Sequence, residues 1–257
     1  MVGVCPRPFD LRATPPASRL ADVPINEQLR AAVDGQRGLA AADSLCEACV
    51  MLFDIDAAAI SLIFAGSNSG TLGSSGTAAR AYDELQFTYG EGPCLDSVST
   101  RAPVLVADLA TPNNDRWPAY GPAMLDYRIR GIFAIPVVVA GEYVGALDLF
   151  RIQPGELPRD QLAGAVVAAE LASAPLLDVM DSDLHAAVND PKSNAWADFN
   201  VLSRTEVSQA TGMLIAQLEI EPAVALVRLR AHAYATERSV TDVAREILNR
   251  QLRLEAH

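Results

Sequence analysis

The chain has 257 residues, half of them hydrophobic, with 32 acidic against 20 basic side chains and a net charge of −12. This supplies apolar material for one large domain or two small ones. It excludes a membrane-spanning segment, because no apolar run approaches the roughly 20 residues required. MVGVCPRPFDLRATPP at the start has no basic stretch leading into a long apolar one, so no signal peptide is expected and the protein is placed in the cytoplasm.

Residues 1–24 are proline-rich and read as a loose segment. Residues 25–53 carry Leu29, Val33, Leu39, Ala42, Leu45, Cys49 and Leu52 at helical spacing, which predicts a long helix with a break near Gly35. Cys46 and Cys49 form a C-x-x-C pair inside it. A zinc site needs two more ligands, and the three histidines, His185, His232 and His257, stand singly, so the pair reads as two small hydrophobes on one helix face. AAAISLIF at 57–64 predicts a strand, and GSNSGTLGSSG at 66–76 predicts turns around a short second strand. AARAYDELQF at 78–87 is helical. APVLVADL at 102–109 predicts a strand, and RWPAYGPAMLDYRIR at 116–130 a helix with an irregular start. Two β runs flank Gly141–Glu142, a hairpin signal. Residues 157–180 predict a long helix, with Pro158 in its first turn and Pro175 kinking or dividing it. Strands joined by short turns, with helices packed to one side, give an α+β domain around an antiparallel sheet.

HAAVNDPKSNAW, within 185–199, reads as a linker. Three short amphipathic helices follow within 200–257. Ser203 and Glu206 make a capping box for the first, whose inner face is Val207, Ala210, Leu214 and Leu218. Pro222 opens the second through Ala225, Leu226, Leu229 and Ala233. Ser239 and Asp242 cap the third, with Val243, Ile247 and Leu248 inward. Residues 198–257 hold seven arginines against eight acids, whereas residues 1–197 hold 13 basic against 24 acidic groups. The body repels nucleic acid, and the tail, with its arginine clusters, is free to bind it locally. One lysine, Lys192, stands against 19 arginines, which looks like codon bias from a GC-rich genome.

No catalytic set emerges. Nucleophilic hydrolysis needs a base within hydrogen-bond reach of its nucleophile, and the isolated histidines offer none. Asp108, Asp115 and Asp126 are scattered cap or turn residues. GEGPC at 90–94 lacks the lysine and Ser/Thr of a P-loop. It admits three readings: a phosphate cradle, a thiol activated at a helix N-terminus, or a tight corner before a helix. The chain reads as a non-enzyme with no cofactor or metal identified.

Residues 25–184 resemble a GAF sensory domain. The resemblance rests on GEGPCL, the strand PVLV followed by Asp108, the RWP turn, and IPVVVAGEYVGALDLF, standing in that order. It implies a sheet and overlying helices enclosing a pocket for a small-molecule ligand, near Phe87, Tyr89, Cys94, Trp117, Tyr120 and Tyr127, with GEGPC as a loop and helix start beside it. The tail resembles an ANTAR domain, through QATGML at 209–214, ALVRLRAHA at 225–233 and RSVTDVAREI at 238–247. Together they resemble GAF–ANTAR antitermination regulators of the actinobacterial type, whose three-helix module binds paired RNA stem-loops. The resemblance implies RNA contacts by Gln209, Thr211, Arg230, Arg238 and Arg245. Thr211 stands where a basic residue is common, which removes one phosphate contact. Arg228 and Arg230 lie about 200° apart on their helix; Arg230 fits the family's L-R-x-x-A pattern, and Arg228 reads as an exposed salt-bridge partner. A homodimer is expected through residues 25–53 and a stripe of Leu157, Leu162, Val166, Ala169 and Leu176. The alternatives are a DNA-binding regulator with a GAF sensor and a GAF-type cysteine redox enzyme, the latter resting on Cys94.

Overall fold

The computed structural model describes residues 23–64, 66–111, 116–179 and 204–255. The linker, the Ser203 side of the capping box, Asp115, His185 and His257 lie outside the described residues.

Helices α1 (Ile25–Val33) and α2 (Gly38–Leu52) replace the single long helix, with the break where Gly35 takes a φ of 72°. Strands β1 (Ala57–Phe64) and β2 (Ser67–Ser74) follow, then α3 (Thr77–Tyr89), α4 (Pro93–Thr100), β3 (Val104–Val106) and α5 (Tyr120–Asp126). The hairpin is β4 (Gly131–Val139) and β5 (Glu142–Arg151), and α6 (Arg159–Leu171) leads to further helix over 173–179. The tail forms α7 (Thr205–Leu218), α8 (Pro222–Ala235) and α9 (Val240–Leu248), the three expected helices.

The five strands lie in the order β2-β1-β5-β4-β3, each neighbouring pair antiparallel. Helices cover both faces rather than one. Strand residues alternate between faces, and here both faces are apolar. Ala58, Ile60, Phe133, Ile135, Leu147 and Leu149 meet α1, α2 and α6, while Ala57, Ala59, Ile132, Ala134 and Phe150 face the side of α3 and α5. Each fully buried large side chain contributes about 1.5–3 kcal/mol.

Three elements differ in extent from expectation. β2 is not a short strand among turns but eight residues, as long as β1. Gly73 serves close approach: a Cβ there would stand 2.5 Å from the backbone of Ala42, so α2 sits directly on the strand. β3 keeps only three residues, since Pro103 cannot donate to a ladder and Asp108 turns away to accept two bonds of 2.7 Å from Arg130. α5 keeps seven residues of the helix expected over 116–130.

The stripe assigned to dimerisation is largely spent within the chain. Leu157, Ala169 and Leu176 belong to the core shared with α1 and α2, with Leu162 packed against it; Val166 remains 39% exposed. The segment Arg159–Val179 is long and apolar enough to cross a membrane by length and composition, yet its Ala165, Ala168, Ala169 and Ala172 are buried in that same core.

Candidate functional site

The loop GEGPC is a corner in which each residue has a task. Gly90, at φ 69°, closes α3. The Glu91 carboxylate accepts the backbone N–H groups of Ala119 and Tyr120 at 2.7 and 2.8 Å, and so holds the start of α5. Gly92, at φ 144°, passes so close to Gln86 that a Cβ would lie 2.4 Å from its Oε1. Pro93 begins α4, and the Cys94 N–H donates to Gln86 Oε1 at 2.9 Å. Cys94 is fully buried, and its thiol is pushed well above the ordinary range, by burial first and by the charges of Asp148 and Asp83 next. The N-terminus of a short helix does not offset that desolvation. Cys46 is raised for the same leading reason, and burial lifts Cys49 to about 12. These are not the environments of reactive thiols.

Beneath α3 lies a buried polar row. Ser61 of β1 stands opposite Thr71 of β2, and Asp148 of β5 pairs with Ala59, two positions along β1 from Ser61, on the same face. Asp83 and Gln86 descend from α3, all of these residues being buried. The Ser61 hydroxyl lies 2.5 Å from Asp83 Oδ1 and 2.7 Å from Asp148 Oδ2. One hydroxyl has one proton to donate, so one carboxyl must bring its own. Burial, with the charge of Asp83 adding to it against hydrogen bonds from Ser61 and Gln86, raises Asp148 to about 8. Asp148 is thus the neutral member, its O–H donating to Ser61, whose O–H donates to Asp83. Asn68 Nδ2 donates to Asp83 at 2.7 Å, Thr71 Oγ1 also donates to Asp83, and Gln86 Nε2 donates to Asp148 at 3.1 Å.

Asp83 also faces outward, to the bundle. Arg204, one residue before α7 and in a left-handed conformation at φ 43°, is buried against α3. Its guanidinium reaches Asp83 Oδ2 at 3.4 Å, pairs with Glu84, and lies over the Phe87 ring at 4.1 Å. Burial pushes Arg204 below its usual value while Asp83 pulls it up. Arg230 of α8 places a second guanidinium over the same ring at 5.0 Å; burial lowers it as well, and its Nε has no hydrogen-bond partner. Phe87 is a member of the bundle's own apolar core, with Val207, Ala210, Leu229 and Val243. Thr88 Oγ1 accepts the Val240 N–H at 3.3 Å, Thr241 donates to Glu84 at 2.7 Å, and Tyr89 meets Tyr234 edge-on at 5.7 Å. A cleft of about 980 Å³ runs beside this contact, between Tyr127 and Asp126 on one side and Tyr234 and Asp242 on the other.

The six residues assigned to a ligand pocket therefore divide. Cys94, Trp117 and Tyr120 are buried on one side of the sheet, the two rings edge-on at 6.4 Å, with Trp117 Nε1 and Tyr120 Oη lacking hydrogen-bond partners. Phe87 and Tyr89 face the bundle, and Tyr127 is 52% exposed against Tyr82. The five residues assigned to RNA divide too. Gln209 and Arg245 are exposed, Arg245 pairing with Asp242 and Glu206. Arg238 makes a bidentate pair with Glu246 at 2.8 Å, and the Thr211 hydroxyl donates to the Val207 carbonyl at 2.7 Å. Arg230 turns toward the first domain. Arg228 donates to the Glu255 carbonyl at 3.1 Å.

Sequence reasoning missed Ser61, Asp83, Gln86, Asp148 and Arg204. A signal was present for two of them: Ser61 in AISLIF and Asp148 in ALDLF are single polar residues on an otherwise buried strand face.

The family model for the GAF domain matches residues 40–174, and that for the ANTAR domain matches residues 200–248. No curated protein matches the chain. Among solved structures, the GAF domain of a phosphoenolpyruvate-protein phosphotransferase from Coxiella burnetii is 18% identical, with 64% of this chain and 94% of that one covered and a TM-score of 0.47. The corresponding domain from Acinetobacter is 12% identical, covering 65% and 97%, at 0.48. A free methionine-R-sulfoxide reductase from Neisseria meningitidis, in complex with its substrate, is 12% identical, covering 65% and 93%, at 0.44.

Proposed function

On the premise that the chain belongs to the GAF family and carries an ANTAR domain behind its sensor, we propose that it is a signal-responsive, RNA-binding transcription antiterminator held in a closed state. One observation carries this reading: Arg230, the arginine expected to meet RNA, lies against Phe87 of the sensor. An arginine engaged there is not available to stack on an unpaired base or to hold phosphate bidentately. A signal that loosens α3 would release it, because the same helix carries the buried polar row and the bundle's docking surface.

The sensor's ligand is a small molecule entering near Trp117 and Tyr120, where aromatic rings stand beside unpartnered polar atoms. The protein is a regulator and not an enzyme: Cys94, on which the redox alternative rests, is buried with a raised thiol. It works in the cytoplasm as a homodimer, since paired stem-loops reward paired modules through effective concentration. As four of the five stripe residues already serve the core of one chain, the dimer uses another surface.

The test is stem-loop RNA binding by the full chain, with duplex DNA as control. Phe87→Ala is expected to raise affinity by freeing Arg230, and Arg230→Ala to lower it by about 1–3 kcal/mol, the range for single-stranded contacts. Preference for duplex DNA, or equal losses from Arg230→Ala and Arg228→Ala with unchanged circular dichroism, would overturn it. Sedimentation giving a monomer with and without RNA would remove the dimer.

A further inference from the structure

Three potential ligand atoms come together beneath α3. A carboxylate oxygen of Asp83, the sulfur of Cys94 and a carboxylate oxygen of Asp148 lie within 4.8 Å of one another, and all three residues are fully buried. They come from α3, α4 and β5, so no local sequence pattern holds them; the fold does. An independent observation stands beside them. The Tyr120 hydroxyl, from α5, is fully buried and makes no hydrogen bond, and the groups acting on it electrostatically are these same three residues. Asp148 Oδ1 is likewise buried without a partner. Leaving a buried polar atom unpaired costs about 1–3 kcal/mol, and here a phenol and a carboxylate oxygen are both left so.

We propose that Asp83, Cys94 and Asp148 form a binding site for a divalent transition-metal ion, with the Tyr120 hydroxyl at a further position. Two carboxylates with one thiolate suit zinc or iron(II), whereas magnesium and calcium take oxygen sets. Donors about 2.0–2.3 Å from a common ion stand roughly 3–4 Å apart, so closing the set requires a contraction of about 1–2 Å at most. The carboxylates are already oriented from outside: Ser61 and Gln86 hold Asp148, while Asn68 and Thr71 hold Asp83. Such outer partners fix ligand geometry. On binding, the Cys94 thiol and the Asp148 carboxyl each lose a proton to solvent, and metal–sulfur and metal–oxygen bonds form with no electron transferred. The consequence for the bundle rests on the closed-state reading above. Asp83 is the carboxylate Arg204 reaches, so a dication beside it competes for that charge and weakens the hold on Arg204.

The full chain, stripped with a chelator, is titrated with Co2+ and then competed with Zn2+. One metal per chain is expected, with a thiolate-to-cobalt absorption band that Zn2+ abolishes. Cys94→Ala removes the band, Cys46→Ala keeps it, and Asp148→Asn weakens binding by about tenfold or more. No stoichiometric binding, or a band that survives Cys94→Ala, overturns the site. Where a variant fails to fold, X-ray absorption on the unaltered chain decides: one sulfur among oxygen neighbours supports the site, and an all-oxygen shell overturns it. Amide exchange at Thr88 and Val240, with and without Zn2+, reads the coupling separately. Metal bound with unchanged protection there leaves the site standing and overturns the link to Arg204.

Discussion

The interior beneath α3 and the interior of the tail bundle are built on opposite terms. The first gathers Ser61, Thr71, Asp83, Gln86 and Asp148 in complete or near-complete burial, and the second is Val, Leu, Ile and Ala around one borrowed ring, Phe87. The bundle is too small to build a large core, so it takes an aromatic from its neighbour. The sensor, with two full apolar clusters on its sheet, carries the cost of a polar row. The stable part of the molecule holds the costly groups, and the marginal part is attached through them. Arg204 joins the two regimes, touching Asp83 on one side and Phe87 on the other.

Substitutions on each side sharpen this contrast. A large effect is expected from Asp83→Ala, which leaves the buried Arg204 with Glu84 as its acid and removes the acceptor for Asn68 and Thr71. Breaking a buried pair on one side costs about 3–5 kcal/mol. Denaturant melts should show it, and a double-mutant cycle with Arg204→Met should recover part of the loss. Full additivity of the two would show that the pair is not coupled.

Leu229→Ala comes next, at about 2–5 kcal/mol for a fully buried leucine. In so small a bundle this should unfold α7–α9 and leave the sensor folded, read by amide exchange that collapses in α8 while α2 stays protected. Loss of protection in both regions at once would mean that the two fold as one unit.

Phe87→Ala should cost less in global stability, because part of what it packs against is the flexible stems of Arg204 and Arg230. Its distinctive readout is local: protection of Val240 falls and trypsin cleavage at Arg204 and Arg230 accelerates. Unchanged cleavage would place the attachment elsewhere.

The last effect appears only as pH rises. In the metal-free folded chain burial pushes the Asp148 carboxyl up to about 8, against roughly 3.9 for a free aspartate. Between those values the folded chain keeps a proton that the unfolded chain has released, so stability falls as pH rises through the interval, and the whole cost is present above 8. Asp148→Asn should therefore melt higher than the unaltered chelated protein at alkaline pH, with the difference shrinking toward pH 4. A constant difference across that range would assign the effect to packing and not to the proton.

Much of the fold was written in local patterns. The three tail helices, the β4–β5 hairpin and β1 follow from periodicity, caps and turn residues, which act over a few positions. The order of motifs across GEGPCL, PVLV and the hairpin carried the domain assignment. β2 was hidden because its Gly73 serves a close approach by α2 that no short window contains.

The sequence by itself determined most of the elements and the order of the two domains, because backbone propensity and amphipathic spacing are properties of neighbouring residues. Only the tertiary structure decided which charges share a space. Asp83, Cys94, Asp148 and Arg204 are separated by up to 121 positions, and their burial, the proton on Asp148 and the engagement of Arg230 exist only where α3 lies between sheet and bundle. Electrostatics in a dry interior depends on distances of a few ångströms, and those distances are set by packing.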